Sequence, residues 1–110
     1  MLFCIMATYT PQSISALMDH TESRQPAVQK LIEAAGGKLV SMYSTAMDGP
    51  GAMVIVDMPD PNVAPAISGV VAASGALKDI KFFRLLSQDE VVTVRKKAAE
   101  LRKAYAPPSK

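Results

Sequence analysis

Two short segments, residues 2–9 and 52–58, are apolar at almost every position and constrain the fold of this chain most strongly. Both are far shorter than a membrane span and contain residues that favour strands. Two further strand-like segments, 38–46 and about 77–86, mix apolar with hydroxyl or charged residues. Because a strand buried on both faces is apolar throughout and an edge strand tolerates polar residues, we expect the first pair at the centre of one sheet and the second pair at its edges.

The residues between the first two strands have the apolar spacing of a helix, interrupted once. Thr10-Pro11 predicts a helix start, since proline is tolerated at the first helical position. Residues 19–23 carry no apolar stripe, so we expect a break there. The apolar stripe resumes after Pro26, and Gly36-Gly37 ends it because glycine readily adopts the left-handed cap.

Two more helices are predicted in the second half. Asp60-Pro61 marks the start of one, which stops at Gly75, and the capping box from Ser87 to Glu90 begins the other. This C-terminal helix extends to about residue 105, and too few heptads follow for a free coiled coil, so we expect it to dock on the domain. Its apolar seam comprises Val91, Val94, Ala98, Leu101 and Tyr105.

The element order β-α-β-β-α-β-α predicts an α+β protein with a ferredoxin-like βαββαβ core and a C-terminal helix. Right-handed crossovers then connect a four-stranded antiparallel sheet in the order 4-1-3-2. We expect one domain over residues 1–106 and a flexible tail at 107–110.

Two helices cover only one face of such a sheet, yet the central strands are apolar on both faces. Neighbouring Val54 and Ile55 must point to opposite faces, because side chains alternate with period two. The pattern does not say which of them faces the helices. We expect the uncovered face to meet a second copy, so the predicted partner is the chain itself, as a homodimer or higher homo-oligomer, with Val54 and Ile55 as interface candidates.

Composition excludes several classes. The chain is 49% apolar and 20% charged with a net charge of +2, too small to indicate a nucleic-acid or membrane partner. The single cysteine, Cys4, forms no internal disulfide and sits in an apolar run typical of a buried position. That run lacks the positive flank of a signal peptide, so we expect a cytoplasmic protein.

Four stretches, in order and spacing, resemble the GYD-domain family of small bacterial proteins. They are Ala34–Leu39, Val54–Asp60, Ala73–Ala76 and Leu85–Glu90. The resemblance implies a ferredoxin-like fold of the dimeric α/β-barrel kind and no established activity. The Gly-Tyr-Asp motif that names the family is expected before the third strand, where this chain has Met47–Ala52, so no role of that tyrosine and aspartate is carried over.

Few residues suggest chemistry. His20, the single histidine, is a candidate general base or metal ligand, but it has no second histidine or cysteine at ligand spacing, so we expect no metal and no cofactor. Tyrosine, arginine and methionine side chains also suit an apolar pocket with a polar rim, although ordinary packing or solvation explains each of them equally simply. The candidate pocket residues are His20, Tyr9, Tyr43, Arg24 and Met42.

Three functions remain open from the sequence. The first is binding of a small apolar or aromatic ligand between sheet and helices. The second is a cofactor-free isomerase or oxygenase of small organic compounds, by fold-level analogy. The third is a structural or interaction protein without a pocket. An open cavity between sheet and helices favours the first two, and a filled interior favours the third.

Overall fold

The chain forms four strands and four α-helices, followed by a short 3-10 turn, in a computed structural model that describes residues 1–109. Lys110, the last residue of the predicted tail, lies outside the described residues. The elements are β1 (Leu2–Tyr9), α1 (Pro11–Asp19), α2 (Gln25–Ala34), β2 (Lys38–Thr45), β3 (Gly51–Asp57), α3 (Val63–Ala73), β4 (Leu77–Leu85), α4 (Gln88–Leu101) and the 3-10 turn Arg102–Ala104.

The four strands form one sheet in the order β2-β3-β1-β4, with antiparallel neighbours throughout. The two strands that are apolar on both faces occupy the centre, and the two mixed strands occupy the edges. The predicted ferredoxin-like fold, with its 4-1-3-2 strand order and C-terminal helix, is therefore confirmed.

Local sequence signals explain most of the helix ends. The Thr10 hydroxyl accepts a hydrogen bond from the Ser13 backbone N–H at 3.2 Å and caps α1. Gly36, with φ +81°, provides the left-handed residue that follows α2. The predicted start of the next helix at Asp60-Pro61 is too early, because the Asp60 carboxylate accepts from the Asn62 N–H at 2.9 Å and holds a turn before α3 begins at Val63.

The two sheet faces differ in cover. Val54 and Val56 are 6% and 1% exposed beneath the helices, whereas Ile55 lies on the opposite face and is only partly buried. The structure thus assigns Val54 to the core and Ile55 to the open face. The row of neighbours across the open face is Ser41, Ile55, Cys4 and Phe83.

The core lies between the sheet and the helices α2 and α3. Helix α2 packs chiefly on the edge strand β2, and α3 packs on the other edge strand, β4. No helix described within residues 1–109 is long and apolar enough to cross a membrane. The main buried cluster comprises Phe3, Ile5, Ile32, Ala52, Val54, Val56, Met58 and Ile67.

Helix α4 projects from the domain, so the prediction that it docks is wrong within a single chain. It buries none of its side chains, and Val94, Leu101 and Tyr105 of the apolar seam are at least half exposed. The longest dimension of the chain is accordingly 57 Å. The physical reason is the width of the seam, because a stripe with only two apolar positions in every two turns of helix covers little surface.

Deleting residues 91–110 should therefore leave the folded core intact. Because α4 contributes no buried side chain, we expect the melting temperature to change by no more than about 2 °C, in line with surface changes of about 0.5 kcal/mol. Far-UV circular dichroism should lose helical signal while the thermal transition stays in place. A fall of 10 °C or more, on the order of 2 kcal/mol, would mean that α4 is packed in solution.

The start of α4 is held by a carboxylate whose pKa is lowered by its surroundings. The backbone N–H of Ser87 and then the guanidinium of Arg84 hold the pKa of Glu90 below its ordinary value of 4.5, since both interact with the carboxylate. A carboxyl group whose pKa is lower in the folded state stabilises fully above its unfolded pKa and loses that effect as the pH falls through its folded pKa.

We therefore expect α4 to fray as the pH falls below 4.5. The helical circular dichroism of Glu90→Gln, which keeps the length of the side chain, should lack this component of the acid transition. Superimposable acid titrations of the two proteins would rule out a role for the Glu90 carboxylate.

Candidate functional site

An apolar cavity of about 250 Å³ lies between the sheet and the helices. Ile5 of β1 and Ala52 and Val54 of β3 form its floor, and each is less than a tenth exposed. Helices α2 and α3 pack chiefly on opposite edges of the sheet, and the cavity lies between them over the central strands.

Helices α2 and α3 provide the walls of this inner cavity. Their contribution is almost wholly aliphatic, and Met42 and Ile80 close the sides along the edge strands. Among residues 1–109, three residues with polar side chains line the inner cavity, namely Tyr9, Arg24 and Ser74. Of these, the Ser74 hydroxyl already donates to the Val71 carbonyl at 2.6 Å and accepts from the Ala76 N–H at 3.2 Å. The helical wall residues are Ala27, Val28, Leu31, Ile32, Ile67, Val70 and Val71.

Tyr9 occupies a well-held position at the end of β1. Its backbone N–H donates to the Pro50 carbonyl at 3.0 Å, and the next residue, Thr10, donates to the Ala76 carbonyl at 3.1 Å. The Ser13 hydroxyl donates to the same Ala76 carbonyl at 2.8 Å. The start of α1 is thereby tied to the strands on both sides, which fixes the tyrosine at one end of the cavity.

The break between α1 and α2 forms the mouth of the inner cavity. Two outer cavities of about 320 and 310 Å³ lie there, and both are lined by His20, Glu22 and Arg24 together with Tyr9. Helix α1 ends at Asp19, and the Ser23 hydroxyl accepts from the Gln25 N–H at 3.1 Å before α2 begins. The sequence signal for this mouth is the stretch without an apolar stripe at residues 19–23.

The structure brings the predicted pocket residues together at this end of the domain. Tyr9 and Arg24 line the inner cavity and both outer ones, and His20 lines the two outer ones. Met42 lies between the inner cavity and one outer cavity. Tyr43, 60% exposed, borders the same outer cavity, but its pairing with Met53 places it on the open face of the sheet, away from the inner cavity. That these residues contact a ligand stays a prediction.

The wall residues on the helices were not among the site residues predicted from the sequence. Ala27, Val28 and Leu31 of α2 and Val70 of α3 line the inner cavity, yet their spacing alone predicts ordinary core packing. Val70 is 61% exposed, so its side chain borders solvent as well as the cavity. The separation of α2 from α3, which no local pattern reports, turns these positions into walls.

The chemistry of the site is mainly that of an apolar receptor with a polar mouth. Within residues 1–109, the Tyr9 hydroxyl, the His20 imidazole and the Arg24 guanidinium form no hydrogen bond or ion pair with another side chain, so they are available to a ligand. No group of three or more His, Cys, Asp or Glu residues is placed to hold a metal ion in this described part of the chain.

Comparisons with known proteins agree with this architecture. The solved structure of 5-chloro-2-hydroxyhydroquinone dehydrochlorinase from Burkholderia phenoliruptrix, in complex with 2,5-dihydroxybenzoquinone, is similar at a TM-score of 0.55 and 15% identity. The similarity covers 81% of this chain and 97% of that one, and it concerns the fold alone. No curated protein sequence matches. The model of the GYD domain matches residues 3–94, and the chain therefore belongs to the GYD-domain family.

Proposed function

We propose that this protein binds a small apolar or aromatic molecule between its sheet and helices, and that it does so as a homo-oligomer assembled through the open sheet face. The observation that carries the ligand proposal is the apolar cavity over Ile5, Ala52 and Val54. A binding site of this kind combines apolar walls with a few polar groups that orient the ligand.

The size of the cavity indicates the size of the ligand. An apolar cavity of about 150 Å³ in a protein interior is enough for benzene, so about 250 Å³ fits one substituted ring or a short aliphatic chain. Larger ligands would have to extend into the outer cavities at His20 and Tyr43. A purely structural protein with a filled interior is the less favoured alternative, because this interior is open.

The open sheet face supports the assembly proposal. Its centre is apolar, with Cys4 and Met6 of β1 beside Met53 and Ile55 of β3, whereas Ser41 and other polar residues lie on the edge strands. An apolar centre within a polar rim is the usual anatomy of a protein interface. Leu2 and Phe83, 40% and 49% exposed in the single chain, extend this face.

Catalysis on the bound molecule is a second candidate. His20 and Tyr9, both able to exchange protons, line the outer cavities next to the ligand site. The similar dehydrochlorinase, whose complex contains 2,5-dihydroxybenzoquinone, supports the idea that this fold can serve reactions of small aromatic compounds. Turnover of a bound compound that disappears in His20→Ala, with unchanged affinity, would decide for catalysis.

Ligand binding can be tested by filling the cavity. Ala52→Leu places an isobutyl group at the cavity floor, and Ala72→Leu, at an exposed position of α3 outside the cavity, is the matched control. We expect millimolar indole, a small neutral aromatic probe, to raise the melting temperature of the wild-type protein and of Ala72→Leu, because binding to the folded state stabilises it.

The Ala52→Leu protein should remain folded and show no such rise. The ligand proposal fails if indole, phenol and cyclohexanol all leave the wild-type melting temperature unchanged. It fails equally if Ala52→Leu responds like the control, since the probe would then bind elsewhere.

A further inference from the structure

The inner cavity has one charged side chain on its wall within residues 1–109. This is Arg24, and it lies at the end where the cavity opens toward His20 and Glu22. The rest of the lining is aliphatic or methionine apart from Tyr9 and Ser74, and the Ser74 hydroxyl is already bonded to backbone groups. Polarity is therefore confined to one end of the ligand space.

Arg24 has no competing partner in the described chain. No carboxylate lies within ion-pair distance of its guanidinium, although Glu22 lines the same outer cavities. A guanidinium has only donors and prefers a planar anion with two oxygens, and such charge-assisted hydrogen bonds are about twice as strong as neutral ones. The hydroxyl of Tyr9, on the wall of the same three cavities, can donate to the same anion.

We infer that the preferred ligand is an amphipathic anion, a small aromatic or aliphatic carboxylate whose apolar body fills the inner cavity and whose carboxylate meets Arg24 and Tyr9 at the mouth. This inference rests on the proposed ligand site and specifies the chemical class that it takes. Glu22, on the outer side of the mouth, repels an anion placed farther out and so favours the position at Arg24.

The test uses two probes of nearly the same shape that differ in charge, the anion 3-phenylpropionate and the neutral 3-phenylpropanamide. Isothermal titration calorimetry on the full chain should show that the wild-type protein binds the carboxylate at least about tenfold more tightly than the amide. Arg24→Gln should remove this preference by weakening the carboxylate alone. Lys30→Gln removes a positive charge from the exposed side of α2, outside all three cavities, and should keep the preference.

The outcomes distinguish a failure of the carboxylate inference from a failure of the proposed ligand site. Equal affinities of the two probes for the wild-type protein, with both lost in Ala52→Leu, would overturn the anion inference and leave the ligand site standing. A preference that persists in Arg24→Gln would also overturn it. Equal losses in Arg24→Gln and Lys30→Gln would show only long-range attraction by net positive charge and would contradict a carboxylate at Arg24.

Discussion

Val54→Lys is expected to prevent folding, whereas its neighbour Ile55→Lys is expected to fold and to lose self-association. Val54 is 6% exposed beneath the helices, and no acidic residue lines the cavity that it borders in the described chain. An unpaired ammonium group there costs several kcal/mol, a large part of the ~5–15 kcal/mol that stabilises a typical domain. Ile55 is on the open face, where a lysine reaches solvent in the single chain.

Circular dichroism and size-exclusion chromatography with light scattering measure the two effects separately. Val56→Lys is a second variant of the covered face and should fail like Val54→Lys, since Val56 is 1% exposed. Lysine at positions 54, 55 and 56 should then give an unfolded, a folded and an unfolded protein, in that order. If Ile55→Lys keeps the wild-type mass, or if the wild-type protein is a monomer, the open sheet face is not the interface.

Gly51→Ala is the second substitution for which we expect a large effect. A Cβ atom at position 51 would overlap the carbonyl oxygen of Ala7 and lie 2.9 Å from the Cα of Thr8. Both are backbone atoms of the central strand β1, which cannot move aside without breaking its pairing with β3. We expect a loss of about 3 kcal/mol or more, and hence a fall in melting temperature of roughly 10–20 °C.

Gly69→Ala is the matched control. A Cβ atom at this exposed position of α3 meets nothing within 4 Å, and alanine favours helix over glycine by about 0.5–1 kcal/mol. The melting temperature should therefore rise by a few degrees. If Gly51→Ala is tolerated as well as Gly69→Ala, the close approach of β3 to β1 relaxes at little cost, and the glycine at position 51 is not required by packing.

The same glycine lies in the segment Met47–Ala52, where the resemblance to the GYD-domain family led us to expect a Gly-Tyr-Asp motif. Gly51 is the first residue of β3, and the turn from β2 comes directly before it. The turn is held by the Thr45 hydroxyl, which donates to the Gly49 carbonyl at 3.0 Å. This hydrogen bond involves neither a tyrosine nor an aspartate, and Asp48 lines none of the three cavities described above.

The C-terminal helix α4 shows the difference between a feature that a local sequence pattern predicts and one that it does not. The capping box was predicted from Ser87 and Glu90 and is present, with the Glu90 N–H donating to the Ser87 hydroxyl at 3.1 Å. Such a cap depends on four consecutive residues, so the sequence is sufficient to predict it. The apolar seam from Val91 to Tyr105 predicts that one side of the helix is apolar. It does not predict which surface packs against that side.

The sequence by itself determined the strands, their order in the sheet and the break at residues 19–23, because polarity at each position reports how many faces of a strand or helix are buried. Tertiary structure alone decided that Val54 faces the helices and Ile55 the open side, since period-two alternation is symmetric between the faces. It also decided that α2 and α3 stand apart over Ile5 and Ala52, because the distance between two helices depends on packing across the whole layer. The candidate ligand cavity is a consequence of that distance.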